Sequence, residues 1–234
     1  MSFRFKQFFI EDSRCAMKVG TDGVLLGAWA PIDLPFGHLP FTILDIGTGS
    51  GLIARMLMQR CPGAEVEGID IDEAAVGQAR ENGVNAYCSS LQNWQMANGK
   101  LYDLIVSNPP YFQNSLKNPD KGREMARHTD TLSYSELVKH SARLLKEGGC
   151  LAFILPADAE KEIRQLAAAE NLFLMRVTRV FSKETKPVRR VLLAFSKLKI
   201  KNYELKIIED TLVLEDEKGG RSAAYSELCK EFYL

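Results

Sequence analysis

Apolar positions in this chain fall in short runs set between longer stretches of mixed, helix-like character. Runs at 41–46, 65–69, 84–88, 102–107 and 150–155 read as strands, and those at 41–46 and 102–107 are apolar enough for burial on both faces. Between them the spacing predicts a helix from about 52 to 60 and a second one from a cap at Asp72 to Asn82-Gly83. A third helix spans 133–146 and is ended by Gly148-Gly149, and a fourth runs from a cap at Asp158 to about 171. Two β-rich segments, 173–181 and 188–196, bring the strands to seven. Strands alternating with helices define an α/β class, a doubly wound and mostly parallel seven-stranded sheet.

Smaller pieces flank this unit. Phe3, Phe5, Phe8 and Phe9 alternate with Arg4 and Lys6, a strand whose aromatic face packs over the domain. Thr21 or Asp22 caps a short buried helix over 24–29, and proline-rich 31–40 is a loop. The polar stretch 112–130 is long for a connection inside a compact domain, which hints at function. A small hairpin over 203–214 and a helix over 222–232 close the chain. The expected organisation is one domain over 1–234, with an N-terminal arm and cap over 1–40 and a C-terminal addition over 203–234.

Composition narrows the class. With 46% apolar and 26% charged residues in 234, the chain can bury a substantial core and is no disordered polymer. No apolar run approaches the roughly 18 residues a membrane span needs, and the start lacks a signal-peptide core, so a cytoplasmic protein is expected; a monomer is assumed, since the sequence sets no oligomeric state. The five cysteines are scattered and never form C-x-x-C, which argues for reduced, mostly buried thiols. No His, Cys or carboxylate cluster has metal-ligand spacing, so no metal is expected. Formal net charge is zero, but bases outnumber acids between Arg176 and Lys206 and acids dominate after it. Such a run is either a solvated rim or a phosphate-binding face.

Three strand ends carry the candidate chemistry. Asp45-Ile46 leads into Gly47-Thr48-Gly49-Ser50-Gly51, where glycines at alternate positions let backbone approach a ligand at a helix N-terminus. Asp70 ends the next strand, about 20 residues on, where a carboxylate accepts ribose hydroxyls. Asn108-Pro109-Pro110-Tyr111 follows the strand at 102–107; its prolines stiffen the backbone and hold Asn108 extended, so that an amide and an aromatic ring are fixed at the ligand-binding end of a parallel sheet. A dinucleotide loop would be G-x-G-x-x-G, but Gly51 comes one position early and Leu52 stands where that pattern wants glycine.

Taken together, the loop, Asp70 and the Asn-Pro-Pro-Tyr corner resemble class I S-adenosylmethionine-dependent amino-methyltransferases. The blocks Phe5–Phe8 and Ala16–Trp29, the pair Arg127-His128 and the ending Glu231-Phe232-Tyr233-Leu234 look like one bacterial subfamily, the tRNA(Val) (adenine-37-N6)-methyltransferases. The resemblance spans nearly the whole chain. It implies a Rossmann-like sheet and S-adenosylmethionine held by Thr21, Asp22, Asp45, Gly47, Gly49, Gly51, Asp70, Ser90 and Asn108. It implies methyl transfer to N6 of an adenine in tRNA, with Asn108, Pro109, Pro110 and Tyr111 as the catalytic corner. At one position the chain departs from its class: Ser90 stands where an Asp often binds the cofactor's adenine amino group, and a hydroxyl accepts a weaker bond than a carboxylate. Asp45 is as well suited to orienting the glycine loop as to touching cofactor, and Asp22 to capping as to lining the site.

In that scheme the Asn108 side-chain oxygen and the Pro109 carbonyl accept the two N6 hydrogens, and Tyr111 stacks on the flipped base. Lys183, Lys186, Arg189 and Arg190, with Lys121, Arg123 and Arg127 in the long loop, are candidate RNA contacts. Rival readings are a protein glutamine N5-methyltransferase, an NAD-binding oxidoreductase and a non-catalytic RNA-binding module. The enzymatic reading requires the glycine turn and the double-proline corner to line one cleft.

Overall fold

In the computed structural model, residues 2–32, 41–110, 132–197 and 207–234 are described, those at 95–98 by their backbone alone. The apolar runs become the strands of a single sheet: β3 (Thr42–Ile46), β4 (Glu65–Asp70), β5 (Asn85–Cys88), β6 (Tyr102–Ser107), β7 (Leu145–Pro156), β8 (Phe173–Phe181), β9 (Val188–Ser196) and β10 (Ile208–Val213). A separate antiparallel ribbon pairs β1 (Ser2–Arg4) with β2 (Phe9–Glu11). The helices are α1 (Thr21–Trp29), α2 (Leu52–Arg60), α3 (Glu73–Glu81), α4 (Leu91–Asn98), α5 (Tyr134–Leu144), α6 (Glu160–Ala169) and α7 (Ala223–Leu228).

Strand order is β10-β8-β9-β7-β6-β3-β4-β5 among the described residues. Only β9 runs against its neighbours, pairing antiparallel with both β7 and β8. Central strands are buried on both faces and their side chains alternate between two cores: Leu104 and Val106 of β6 join one, Ile105 the other. The doubly wound, mostly parallel sheet is therefore present, with its seven expected strands and an eighth at the edge.

Of the hairpin expected over 203–214, residues 203–206 lie outside the described residues, and 208–213 form that eighth strand. β10 lies parallel to β8, with Ile208 opposite Arg176 and Val213 opposite Phe181, and so continues the sheet. Four local expectations also change. Thr21 and Asp22 lie inside the first turn of α1, whose N-cap is Gly20 and has no side-chain cap bond. Ser90 begins a helix that the sequence reading omitted, α4, its Oγ accepting the Asn93 N–H. α5 ends at Leu144, and the glycine pair sits in the irregular start of β7; there the pairing with β6 shifts between Tyr102–Leu145 and Leu104–Cys150. Asp158 lies in a 3₁₀ turn ahead of α6 and caps nothing.

The arm and the C-terminal segment pack on each other. Phe5 stacks on Phe8 and on Tyr233, and the Lys6 amide donates to the Phe232 carbonyl at 2.8 Å. α1 is held on two sides. Trp29 Nε1 donates to Thr178 Oγ1 at 2.7 Å; Thr178 in turn donates to Asp210 on β10, and Arg176 pairs with the same carboxylate while lying over the indole. On the opposite side α1 presses against α2 so closely that a Cβ at Gly27 would stand 2.6 Å from Met56 Sδ. Arg60, at the end of α2, donates to the Gly27 and Ala30 carbonyls and so satisfies the end of α1.

Gly27→Ala should therefore cost about 1–3 kcal/mol by overpacking against buried Met56. In a Met56→Ala background the same change should cost far less. Urea midpoints of the four proteins check this, and equal costs in both backgrounds would show that helix contact is not the reason for the glycine.

Candidate functional site

Three strand ends meet because of register. β3 pairs in parallel with β6 and with β4, placing Ile46 opposite Ser107 and opposite Ile69. Gly47 and Asn108 therefore leave adjacent strands at the same level, and Ser107 Oγ ties the two ends by donating to the Ile46 carbonyl at 2.9 Å. From β3 the chain winds outward through β4 and β5, then returns on the other side of β3 as β6. That reversal opens a crevice at the carboxyl ends of the strands, the place where such sheets bind ligands.

A cavity of about 450 Å³ occupies the crevice. Gly47, Thr48, Gly49 and Ser50 line it together with Leu52 and Ile53 of α2 and Asn108. A further wall is Met17 to Gly20 and the first turn of α1, Thr21 to Gly23. The sequence reading placed Thr21, Asp22, Gly47, Gly49 and Asn108 in one site, and the structure brings these five together. It missed Met17, Lys18, Val19 and Gly20, although they belong to the block that carried the family resemblance.

The glycine loop is shaped from below. Its amides at Gly47 and Thr48 donate to the Ile69 carbonyl, and Gly49 N donates to Asp70 Oδ2 at 2.9 Å. Asp45 is fully buried; its Oδ2 accepts from Thr48 Oγ1 at 2.8 Å and from Ala54 N at 3.2 Å. Burial is the chief reason its pKa rises to about 7, and the nearby negative charge of Asp70 adds to it. Gly68 on β4 leaves room for this bond, since a Cβ there would stand 2.7 Å from Thr48 Oγ1. Asp45 thus orients the loop from beneath, one of the two roles expected of it, and is not among the residues that line the cavity. Gly51 likewise serves packing: with φ at +81°, a Cβ there would meet Val84 at 2.6 Å.

The wall ahead of α1 is built by backbone. The Lys18 ammonium donates to the carbonyls of Asp12, Ser13 and Cys15, and Val19 N donates to Asp12 Oδ2. This clip carries Met17 to the corner, where its Sδ accepts from Asn108 Nδ2 at 3.7 Å. Asn108 is half-buried, Pro109 buried and Pro110 exposed. At the far end of the wall Arg190 Nε donates to Asp22 Oδ2 at 2.9 Å.

Other site expectations fall elsewhere. Asp70 stands behind the glycine loop and does not line the cavity; each of its oxygens accepts one backbone amide, from Gly49 and from Asp72. A carboxylate has about four acceptor positions, so it keeps capacity for hydroxyls. Ser90 Oγ is engaged as the α4 cap. Tyr111, Lys121, Arg123 and Arg127 lie outside the described residues. Four bases of the basic segment are paired with acids: Arg176 with Asp210, Arg179 with Glu160 and Glu209, Lys183 with Glu215 and Arg190 with Asp22. Lys186 and Arg189 are exposed and enter no ion pair among the described residues.

The residues fit the cofactor that the sequence implies. A Cβ built on Gly47 or Gly49 would meet nothing within 4 Å, so backbone borders open space there. The cavity lies in the ~300–1,000 Å³ range of small-molecule sites. Ile71, 58% exposed although apolar, stands just past Asp70 as a surface for a flat ring. No group of three potential metal ligands occurs among the described residues, and no helix there is long and apolar enough to cross a membrane.

Comparison with known proteins agrees with this geometry. A family model described as "Methyltransferase small domain" matches residues 36–174. A Bacteroides fragilis protein named tRNA1(Val) (adenine(37)-N6)-methyltransferase is 42% identical, over 99% of this chain and 97% of its own. Proteins of the same name from Flavobacterium johnsoniae and Phocaeicola vulgatus are 40% and 43% identical, again over 99% of this chain, and over 99% and 97% of theirs. In fold the chain is similar to a predicted O-methyltransferase from Agrobacterium tumefaciens, with TM-score 0.66 at 15% identity over 90% of this chain and 96% of that one. A ribosomal protein L11 methylase from Lactobacillus delbrueckii subsp. bulgaricus gives TM-score 0.50 at 21% identity, over 74% and 76%.

Asp45 makes stability depend on pH. Its carboxyl, ordinarily near 3.8, titrates at about 7 in the fold, so between those values the folded chain holds a proton that the unfolded chain has released. Its contribution is full below pH 4 and is lost as pH rises to 7, by ~4 kcal/mol at most. Asp45→Asn should flatten the decline of melting temperature across pH 4–7. An unchanged slope would mean that another group sets it.

Proposed function

This chain belongs to the methyltransferase small domain family, together with the tRNA1(Val) (adenine(37)-N6)-methyltransferases, and from that premise we propose that it methylates N6 of an adenine in tRNA, adenine 37 of a valine tRNA. The observation that carries the proposal is the shared cleft: the glycine turn and Asn108 leave adjacent strands at one level and line one cavity. S-adenosylmethionine, when bound, supplies a methyl group activated on a sulfonium. The backbone of Gly47 and Gly49 would border it, Asp70 would accept its ribose hydroxyls, and Ile71 would pack on its adenine. Thr21 and Asp22 would border its amino-acid end. With Ser90 engaged as a helix cap, ring packing on Ile71 takes over much of the work expected of an acidic side chain at that position.

On the acceptor side the chemistry belongs to the corner. The lone pair of N6 is delocalised into the purine and is a poor nucleophile. The Asn108 side-chain oxygen and the Pro109 carbonyl would accept the two N6 hydrogens, drawing the nitrogen toward tetrahedral geometry and stabilising the positive charge that grows on it. Rigid prolines fix those two acceptors before the base arrives, so little reorganisation remains for the reaction itself. The proton leaves to water after alkylation, and no strong general base is needed. Met17 orients the Asn108 amide through its sulfur. Tyr111 would stack on the base and return about 1–3 kcal/mol of the cost of unstacking it. Lys121, Arg123 and Arg127 remain proposed phosphate contacts.

Two substitutions separate the roles. Asn108→Ala should lower turnover about 10²-fold or more and leave S-adenosylhomocysteine binding within a few-fold of wild type. It is assayed with labelled S-adenosylmethionine and tRNA from a strain lacking this protein, followed by nucleoside analysis; full activity in the variant rejects the acceptor role, and label appearing in protein instead of RNA rejects the substrate. Asp70→Ala should weaken S-adenosylhomocysteine binding by about tenfold or more, the loss of charge-assisted hydrogen bonds. Calorimetry showing unchanged affinity would remove Asp70 from the ribose.

A further inference from the structure

A second, smaller cavity of about 150 Å³ lies next to the cleft and shares Thr21 and Asp22 with it. Its remaining lining includes Val180, Ser182, Arg189 and Arg190. Two consecutive arginines on a regular strand would face opposite sides of the sheet. Here they line one cavity because the strand is bulged: Val180 pairs with Arg190, Phe181 pairs with Val188, and Arg189 is left as the extra residue between them. Bulges of this kind re-aim side chains, and they concentrate beside active sites.

Arg189 carries a charge here that no acid among the described residues answers. Arg190 is held by Asp22 through Nε, and its Nη1 donates to the Arg189 carbonyl at 3.1 Å. Arg189 is exposed and makes no ion pair among the described residues, whereas Arg176, Arg179 and Lys183 nearby are all paired with acids. Among the described residues the lining holds two guanidiniums and one carboxylate. Ser182 adds a hydroxyl donor, and Val180 supplies an apolar side that strengthens whatever ionic bond forms there. The space suits a phosphate group and is well below the roughly 300 Å³ of a small-molecule pocket.

We propose that this cavity is a phosphate subsite, taking a backbone phosphate of the RNA strand next to the base held in the cleft. The inference rests on the RNA-methylating reading above. Arg189 is the principal donor; Arg190, fixed by Asp22, sets the direction of the field and marks the boundary between base and backbone. A strand whose base enters beside Asn108 thus has a positive anchor across the α1 wall, on the same edge of the sheet.

The test uses a short anticodon stem-loop RNA carrying the target adenosine, with binding followed by fluorescence anisotropy over a range of salt. Arg189→Glu should weaken binding by tenfold or more and lower the slope of log affinity against log salt by about one. Arg189→Gln is the second variant, used if the charge reversal lowers the urea midpoint. Replacing one flanking linkage at a time by a neutral methylphosphonate should weaken wild type at one linkage and leave Arg189→Gln indifferent there. Wild-type affinity and salt slope in both variants, or equal sensitivity of wild type and Arg189→Gln at every linkage, overturns the subsite. The outcomes for the enzymatic reading are separate: if wild type binds this RNA through Arg189 but transfers no methyl group to it, the methylation reading falls and the subsite stands.

Discussion

Parallel strands that pair in register must end together, and β3 and β6 end together at Ile46 and Ser107. Everything chemical in this molecule starts one residue later. Gly47 turns away with a positive φ, and Asn108 is held by the prolines that follow it. If either strand slipped by one residue, its side chains would exchange faces and two cores would lose their contacts at once. The apolar burial of the sheet therefore fixes the distance between a backbone cradle and an amide. The Ser107–Ile46 hydrogen bond joins the two ends at the last paired position, where fraying would otherwise begin.

The α1 wall of the cleft is held from farther away. α1 has a mean hydrophobic character that gives it no polar face, and it is buried almost throughout. Its position is set by the tight approach of Gly27 to Met56 on one side and by the Trp29–Thr178–Asp210 chain on the other. The edge strand β10 thus reaches the cleft through three side chains. The same helix brings Asp22 to Arg190, so the wall that closes the cofactor side is also the partition from the basic cavity. One element fixes the spacing of both.

Much of this was legible in the sequence, for identifiable reasons. Short apolar runs ended by Gly47, Asp70 and Asn108 announced buried parallel strands, and the alternating glycines announced the turn between β3 and α2. What escaped depended on contacts distant along the chain. The helix that Ser90 caps went unread because its capping partner is only a backbone amide, and no apolar period marks so short a helix as α4. β10 looked like a hairpin because nothing local says that its partner is β8, some thirty residues earlier. The basic run from Arg176 looked like a solvated rim or a face for polyanions; Arg176, Arg179 and Lys183 are instead answered by acids at Glu160, Glu209, Asp210 and Glu215, which only folding brings near. Arg189 stands apart from that run because a bulge, invisible in composition, turns it aside.

The two carboxylates of the loop divide their labour by burial. Asp70 sits at the surface of the turn, where its oxygens accept amides and stay within reach of water. Asp45 sits beneath it, sealed from solvent, with one oxygen accepting from Thr48 and Ala54 and the other without a hydrogen-bond partner among the described residues. Two full negative charges this close in a dry setting would repel, and desolvation already disfavours the inner one. The inner pKa rises to about 7 as a result, because a proton on Asp45 removes the charge that burial disfavours and leaves Asp70 as the loop's negative charge. The shape of the turn comes from the buried partner and its charge from the exposed one. A single carboxylate could not do both, since the burial that makes a rigid anchor is the burial that removes its charge.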